Sequence, residues 1–456
     1  MVSMPRAGSH RSTAISLERS PIRAARSPGV SSRAFTRRAA VVVAATAVTL
    51  AAILDLSGTT AVASASLRWR STYDGPASQA DAATAIAIAP SGGRVFVTGS
   101  SDASTRRSRL ATVAYDATTG AMRWVARERT AGDGFVNDIV AGSGRVFVAG
   151  GGRRSMLTVA YVGTSGDRSW SSAYPVRGYG GATAVAVGPS LGDVFVTGGV
   201  PMTTIAYAPA TGRRLWRASH PGFGTDVAVS PSGRHVYAVG TTQRKAVAIA
   251  YRASDGHELW HRSVRRFSFF GSSGTADTLA VAPDGGMIFV GGSWGRGRKF
   301  GILAIRASTG ELAWTRHFSV PPDGSVVTDV GVAPTGRRVF AAGTLGIDPA
   351  VGFVTAAYRA ESGARTWVDR VPLRVGYPAA LAVAPSGRHL FVTGRAAGKL
   401  ETVSYRAGSG HRRWVRRLNA NSGGADAVVD PTGTVLLTGW RGNGRSKDFL
   451  TLGYSR

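Results

Sequence analysis

Apolar and polar residues alternate in short runs along most of this chain, which is the pattern of half-buried β-strands. The segment 85–99 shows it clearly: AIAIA and RVFVTG alternate with period two, and the PSGG between them has the Pro and Gly of a tight turn. No stretch of useful length shows the 3.6-residue periodicity of a helix. The pattern therefore predicts an all-β fold.

The same unit recurs eight times along the chain. Further copies of its first half occupy 139–150, 184–198, 226–240, 278–292, 329–343, 381–394 and 427–439. In seven copies the second half ends with Gly, three residues and Trp, at Gly120/Trp124, Gly166/Trp170, Gly212/Trp216, Gly256/Trp260, Gly310/Trp314, Gly363/Trp367 and Gly410/Trp414. Repetition at this spacing indicates an array of identical structural units.

Each unit predicts four strands, which we label a to d. Strand a uses very small residues, strand b is β-branched and aromatic, strand c resembles TVAY, and strand d carries the Trp. A four-stranded unit of roughly 49 residues is close to the blade of a β-propeller, and small side chains suit the innermost strand, where blades crowd around the axis. We therefore predict a propeller of four-stranded antiparallel blades.

The two ends of the repeat array complement each other. The last copy stops after strand c, at FLTLGYSR, whereas SLRWRSTYDG near residue 66 carries Trp69 without a preceding copy. Pairing Leu67–Tyr73 with Phe449–Tyr454 completes an eighth blade and removes two exposed sheet edges. We predict an eight-bladed ring over residues 64–456; the alternative is a seven-bladed ring with a stray amino-terminal strand.

We predict that residues 1–63 are a basic leader with an export signal. They hold eight Arg against two acidic residues, followed by an apolar run at 39–54 and small residues at Ala61, Ala63 and Ala65. This pattern predicts cleavage near Ala63 or Ala65 and a secreted or extracytoplasmic protein. Arg37-Arg38 makes the twin-arginine route an option, and an uncleaved signal anchor is the alternative to cleavage.

The net charge of +29 favours contact with anionic partners. A GC-rich coding bias, which raises Arg and Ala, is the other explanation for the surplus. The chain has no cysteine, which excludes disulfides, thiolate metal sites and Cys nucleophiles. The His residues are scattered, without metal-site spacing.

The segment AYDATTGAMRW resembles the tryptophan-docking motif of quinoprotein alcohol dehydrogenase-like propellers, the PQQ repeat. Ala114, Asp116, Thr119, Gly120 and Trp124 fill all five places of that motif. The resemblance covers about 67–456 and implies that the eight docking tryptophans pack between blades, namely Trp69, Trp124, Trp170, Trp216, Trp260, Trp314, Trp367 and Trp414.

Catalytic members of that family hold pyrroloquinoline quinone and calcium at the propeller centre, with a vicinal Cys pair above the quinone. This chain lacks the Cys pair, long insertions and a dense acidic cluster. We therefore predict a non-catalytic member with no cofactor and no catalytic or metal residues. The alternatives are a PQQ- or metal-dependent oxidoreductase and, less directly, a propeller lyase or lactonase.

Strand a begins with Asp in alternate units, which places four carboxylates at the predicted mouth of the central channel. They are Asp138, Asp226, Asp329 and Asp426, and the other units have Ala85, Ala184, Thr278 and Ala380 near that place. A near four-fold array could bind a cation or polar ligand. The alternative is that each Asp caps its own loop through nearby backbone N–H groups.

Variable b–c and d–a loops share one face of the predicted ring, where binding usually occurs. Their basic residues are Arg153, Arg154, Arg265, the segment Arg296 to Lys299 and the segment Arg441 to Lys447. Their aromatic residues are Phe135, Tyr179, Phe223, Phe269, Trp294, Tyr377 and Trp440. The combination predicts a monomeric binding protein for an anionic cell-wall or surface polymer, or for a protein partner; aromatic residues filling small cores beneath the loops are the alternative. We expect no specific nucleic acid, and membrane contact only through an uncleaved anchor.

Overall fold

The computed structural model describes most of the repeat array and none of the leader. The described residues are 65–76, 80–101, 109–129, 134–152, 154–178, 180–189, 192–242, 245–265, 267–268, 278–294, 299–318, 325–345, 352–372, 376–418, 421–444 and 446–455. The predictions on residues 1–63, Arg153, Tyr179, Phe269, Arg296 to Arg298 and Arg445 lie outside them. Within the described part every regular element is a β-strand, and none of it forms a long apolar helix able to cross a bilayer.

The strands assemble into eight antiparallel sheets, the blades, each built from strands a to d in order. Blades one and two comprise β2 (Ala82–Ile88), β3 (Arg94–Ser101), β4 (Arg109–Asp116), β5 (Met122–Arg129), β6 (Phe135–Gly142), β7 (Arg145–Gly152), β8 (Ser155–Val162) and β9 (Arg168–Pro175). Blades three and four comprise β10 (Ala182–Val187), β11 (Val194–Gly198), β12 (Met202–Tyr207), β13 (Arg214–His220), β14 (Phe223–Val229), β15 (His235–Thr242), β16 (Lys245–Arg252) and β17 (Glu258–Val264).

Blade five has an additional short strand paired with its strand b. Blades five and six comprise β18 (Phe267–Ser268), β19 (Thr278–Val281), β20 (Met287–Trp294), β21 (Lys299–Arg306), β22 (Leu312–Phe318), β23 (Val327–Val332), β24 (Arg338–Leu345), β25 (Gly352–Arg359) and β26 (Arg365–Pro372). Blades seven and eight comprise β27 (Gly376–Val383), β28 (His389–Ala396), β29 (Lys399–Arg406), β30 (Arg412–Arg417), β31 (Ser422–Val429), β32 (Val435–Asn443), β33 (Ser446–Tyr454) and β1 (Leu67–Tyr73).

The two ends of the array pair with each other and close the ring. Strand β1 is antiparallel to β33, with Tyr73 opposite Phe449 and Trp69 opposite Gly453. The predicted register and the eight-bladed ring are therefore confirmed, and the seven-bladed alternative is wrong. Closure gives the first and last strands the neighbours that they lack in sequence.

The core is divided into layers between neighbouring blades. In the layer between blades one and two, Ala85, Phe96 and Trp124 pack against Val136 and Tyr161. Strands b and c are buried almost throughout, whereas strand d has one exposed face. Because adjacent blades share each layer, a blade cannot bury its apolar faces without both neighbours.

Two turn types recur on one face of the ring, which we call the turn face. The a–b turn of blade one has Gly92 at φ 76°, and the c–d turn has Gly120 at φ 72°. Both values lie in the left-handed region that favours Gly. The b–c loops and d–a connections lie on the opposite side, which we call the loop face.

Candidate functional site

Seven of the predicted docking tryptophans lie against the c–d turn glycine of the next blade. A Cβ added to Gly120 would lie 2.5 Å from the ring of Trp69, and the other six pairs give 2.5 or 2.6 Å. Each indole Nε1 also donates to a backbone carbonyl of the next blade, for example from Trp216 to Ala253 at 2.7 Å. The pairs, taken in order, are Trp69/Gly120, Trp124/Gly166, Trp170/Gly212, Trp216/Gly256, Trp260/Gly310, Trp314/Gly363 and Trp367/Gly410.

Trp414 is the eighth of these tryptophans and differs from the rest. The blade that it faces is the closing blade, which has no c–d turn because its strand d comes from the other end of the array. Trp414 keeps the contact with a strand c tyrosine that Trp124 makes with Tyr161, at 6.2 Å from the Tyr454 ring. Its Nε1, however, has no hydrogen-bond partner among the described residues.

The four predicted carboxylates occupy one equivalent position in blades two, four, six and eight. Each is the residue directly after a register shift in strand a, as between Val136 and Asp138. The residues at the same position of the other blades are Ala85, Ala184, Thr278 and Ala380, as the alternation along the sequence predicts. All four carboxylates are half-buried.

Each carboxylate spans two blades. Oδ2 of Asp138 accepts a hydrogen bond from the backbone N–H of Val185 in blade three, at 2.8 Å. Oδ1 accepts from the N–H of Ile139 in its own strand, at 2.7 Å. The equivalent cross-blade donors to Asp226, Asp329 and Asp426 are the N–H groups of Leu279, Leu381 and Ile86. Sequence reasoning anticipated bonds to nearby N–H groups but not their partners in the next blade.

The carboxylates also affect one another electrostatically. Loss of hydration, followed by the charge of Asp138, raises the pKa of Asp226 to about 8. Burial raises the pKa of Asp426 to about 8, with added repulsion from Asp329 and Asp138. Burial raises the pKa values of Asp138 and Asp329 to about 6. The backbone N–H donors oppose the shift in every case, because they stabilise the ionised form.

These side chains do not offer the donor set of a calcium-held quinone. Three of the four carboxylates use both oxygens on backbone N–H groups, and Asp329 uses one on Leu381 and the other on the Thr278 hydroxyl. Within the described ranges no group of three or more His, Asp or Glu side chains is placed to hold a metal ion. Calcium binding requires six to eight oxygens that converge on one point.

A second cluster lies on the loop face of blades seven and eight, and we call it the Trp440 platform. It consists of Trp440, Arg395, Lys447 and Tyr377. The Arg395 guanidinium lies 5.4 Å and the Lys447 ammonium 4.6 Å from the centroid of the Trp440 ring. Tyr377 is opposite Arg395 in the β27–β28 ladder, and 44% of its surface is exposed.

Backbone geometry holds the indole of the platform in place. Trp440 is half-buried and covers Gly423 of strand β31, where an added Cβ would lie 3.0 Å from the ring. The two cations come from different blades, Arg395 from the end of β28 and Lys447 from the start of β33. Neither forms an ion pair with another described residue, whereas neighbouring Arg441 pairs with Asp448 at 3.3 Å.

The remaining predicted aromatic residues of this face divide into two groups. Trp294 stacks on His317 with a centroid distance of 4.8 Å and an interplanar angle of 5°. Phe135 and Phe223 are half-buried and approach Gly181 and Gly180 of blade three, so they fill small cores beneath the loops. Of the predicted basic residues, Arg154 and Arg265 are exposed. Arg395 was missed because it ends a strand, outside the loops that the sequence marks as variable.

Comparison with known families agrees with the docking geometry. The sequence profile of a PQQ-repeat family described as outer membrane protein assembly factor BamB matches residues 201–347 and 271–450, more than half of the chain. The chain belongs to this PQQ-repeat family. A search of curated protein sequences found no match.

The solved structures that are similar to this PQQ-repeat protein have low sequence identity to it. Chaetomium thermophilum Sqt1, bound to the N-terminus of ribosomal protein L10, has 15% identity and a TM-score of 0.60, with 83% of this chain and 98% of that chain covered. The Dos1 propeller has 9% identity, a TM-score of 0.56, and coverages of 86% and 95%. BamB from Moraxella catarrhalis has 15% identity, a TM-score of 0.46, and coverages of 70% and 96%.

Proposed function

We propose that this PQQ-repeat propeller is an exported, non-catalytic binding protein that holds an anionic polymer on the Trp440 platform. The observation that carries the proposal is the placement of two cations from two blades on one indole, where neither forms an ion pair with another described residue. Contact with the ring reduces the freedom of both long side chains before any ligand arrives.

The platform has the two kinds of group that an anionic polysaccharide needs. The guanidinium of Arg395 can pair with a carboxylate, sulfate or phosphate group through two parallel hydrogen bonds. The exposed ring of Tyr377 offers an apolar surface for a sugar ring beside it.

The charge of the whole protein supports the same class of ligand. The leader holds +6 of the net charge of +29, so residues 64–456 keep +23, which attracts a polyanion over a distance of about one Debye length, roughly 8–10 Å at physiological salt. This attraction raises the rate of encounter but does not select a site. The platform supplies the local geometry that selection requires.

An acidic protein segment is the second candidate ligand. Sqt1, which shares the fold, is bound to a peptide segment of ribosomal protein L10. Arg395 and Lys447 could pair with Asp or Glu side chains by the same chemistry. A polypeptide probe therefore belongs in the test.

The test compares dextran sulfate, poly-L-glutamate and neutral dextran by titration calorimetry with the mature chain. We expect the sulfated polysaccharide to bind, neutral dextran not to bind, and the Arg395→Ala/Lys447→Ala variant to lose about tenfold or more in affinity. Trp440→Ala should weaken binding similarly, because it releases both cations from their contact.

The control removes two exposed arginines from the turn face, in the variant Arg359→Ala/Arg388→Ala. It lowers the net charge by the same amount, so affinity should change by less than about twofold at physiological salt. Equal losses in the two double variants would show that only total charge matters, and the proposal would be wrong. Tighter binding of poly-L-glutamate than of dextran sulfate would instead favour a protein ligand.

We also propose that the protein works without a resident cofactor, because of the hydrogen bonds already made by the channel carboxylates. The absorbance spectrum and the metal content of the purified mature protein test this. A quinone chromophore or a stoichiometric metal ion would contradict this proposal and favour the oxidoreductase alternative.

A further inference from the structure

A cleft of about 350 Å³ opens on the turn face between blades three and four. Its lining includes Asp193 and Phe195 from blade three, and Arg234, His235, Arg252 and Ala253 from blade four. This cleft is separate from the Trp440 platform, which lies on the opposite face of blades seven and eight.

Comparison with blade one indicates how the short side chain of Asp193 leaves room for the cleft. Arg94 in blade one and Asp193 in blade three hold the same place, because each accepts a 2.9 Å backbone hydrogen bond from the residue five positions earlier. In blade one, Nη1 of Arg94 crosses to the next blade and donates to the carbonyl of Gly163 at 3.0 Å. The Asp193 side chain is too short to cross, so the space that the arginine fills in blade one is open in blade three.

The inner part of the cleft offers acceptors for a cation. Ala253 holds the place in blade four that Gly163 holds in blade two, since their carbonyls accept the equivalent indole N–H groups of Trp216 and Trp124. The carboxylate of half-buried Asp193 pairs with no other described residue. Loss of hydration raises the pKa of Asp193, and a cation beside the carboxylate would remove that penalty.

The outer part of the cleft offers donors for an anion. Arg234 is exposed and forms no ion pair with another described residue, whereas Arg252 pairs with Asp255 at 2.8 Å. The half-buried side chain of His235, which follows Arg234 in sequence, lines the same space.

We propose that this cleft binds a small zwitterion whose cationic group is separated from its carboxylate by a short alkyl chain. Free arginine or lysine has this chemistry, and so does a basic residue at the carboxyl terminus of a peptide. The guanidinium or ammonium group occupies the place that Arg94 occupies in blade one and pairs with Asp193. The ligand carboxylate pairs with Arg234 at the rim.

Calorimetric titration of the mature chain with L-arginine tests the proposal. Agmatine lacks the carboxylate and should bind about tenfold more weakly, and L-leucine lacks the distal cation and should not bind. The peptide Gly-Gly-Arg and its carboxyl amide separate the two sources: binding of the acid more tightly than free arginine indicates a peptide end. Absence of arginine binding up to about 10 mM, or equal affinities for arginine and agmatine, would overturn the proposal.

Two variants of the cleft and one control complete the test. Asp193→Arg introduces the residue that blade one has at the equivalent position. It should abolish binding of L-arginine without lowering the melting temperature. Asp193→Asn keeps the shape of the cleft and should weaken binding about tenfold, which keeps the test valid if the arginine variant folds poorly. Asp284→Asn, in the exposed a–b turn of blade five, should leave affinity unchanged. Unchanged affinity of Asp193→Asn for L-arginine would contradict the proposal. Binding of dextran sulfate to the Trp440 platform should be the same in all three variants.

Discussion

The carboxylate of Asp426 accepts a 2.9 Å hydrogen bond from the backbone amide of Ile86, which precedes it by 340 residues in the chain. This bond joins blade eight to blade one beside the central channel. The same contact recurs at every second junction between blades, so each of the four Asp residues joins one pair of neighbouring blades. Their raised pKa values make these inter-blade hydrogen bonds sensitive to pH.

We expect stability to fall as pH rises from about 4 to about 8. The folded-state pKa values of about 6 to 8 exceed the ordinary value of 3.8, so the folded protein binds more protons in this window than the unfolded chain. After allowance for solvent screening the loss is about 1–2 kcal/mol, or a melting temperature lower by about 1–3 °C at pH 8.5 than at pH 5. Thermal unfolding in matched ionic strength measures it.

The variant Asp226→Asn/Asp426→Asn should show a flatter dependence of melting temperature on pH. Asn does not ionise, so the two groups with the highest pKa values no longer contribute, although each Asn accepts only one of the two N–H bonds. Asp284→Asn is the control and should retain the slope of the parent. A double variant with the full slope would mean that these carboxylates are not the source of the pH dependence.

Adding a methyl group at a docking glycine should destabilise the ring far more than the same change elsewhere. In Gly256→Ala the new Cβ would lie 2.6 Å from the Trp216 ring, and φ is 74°. Gly285→Ala is the matched control, because its φ is 72° but the nearest atom is 3.6 Å away. Chemical denaturation should show a larger loss for Gly256→Ala, since only that variant displaces an indole; equal losses would point to backbone strain alone.

Removing a docking tryptophan should have a comparable effect. Trp314 is 6% exposed and its Nε1 donates to Ala360 at 2.8 Å. Trp314→Ala should lower the free energy of unfolding by about 3–5 kcal/mol, as large truncations in a core do. Urea denaturation measures this, and full stability together with loss of a ligand would contradict a structural role.

Deleting residues 64–73 should destabilise the whole propeller. The deletion removes β1 from blade eight, exposes the edge of β33 and uncovers the layer in which Trp69 packs against Tyr115. We expect a lower melting temperature and self-association in size-exclusion chromatography. A chain that begins at residue 64 is the control, and a deletion variant that behaves like this control would contradict closure by β1.

The fold favours one of the two predicted cleavage sites. Ala65 is 3% exposed, and its carbonyl accepts a 3.0 Å hydrogen bond from Nε of Arg416. Cleavage after Ala63 leaves these contacts in the mature protein, whereas cleavage after Ala65 removes them. We expect the exported protein to begin at Ser64, which intact-mass measurement and amino-terminal sequencing can establish. Recovery of the intact leader on cytosolic protein, with none outside the cell, would contradict export.

The architecture of this protein could be predicted from its sequence because the patterns that define each repeat are local in sequence. Strand alternation, the Pro-x-Gly turns and the Gly-x-x-x-Trp spacing are each encoded within about ten residues, and their repetition supplies the blade count. The last copy lacks a strand d, and the strand that carries Trp69 has no preceding strand c to pair with. Together these two features predicted that the two segments pair and close the ring. The alternation of Asp138 with Ala184 was visible in the same way.

Only the tertiary structure decided which side chains meet across blades. The partner of Asp138 in blade three, the two cations on Trp440 and the cleft beside Asp193 all join residues from different repeats. Such contacts depend on the distance and rotation between neighbouring sheets, which side-chain packing in the shared layers sets. A pattern of alternating residues determines the face on which a side chain lies, but not the residue that it contacts on the next blade.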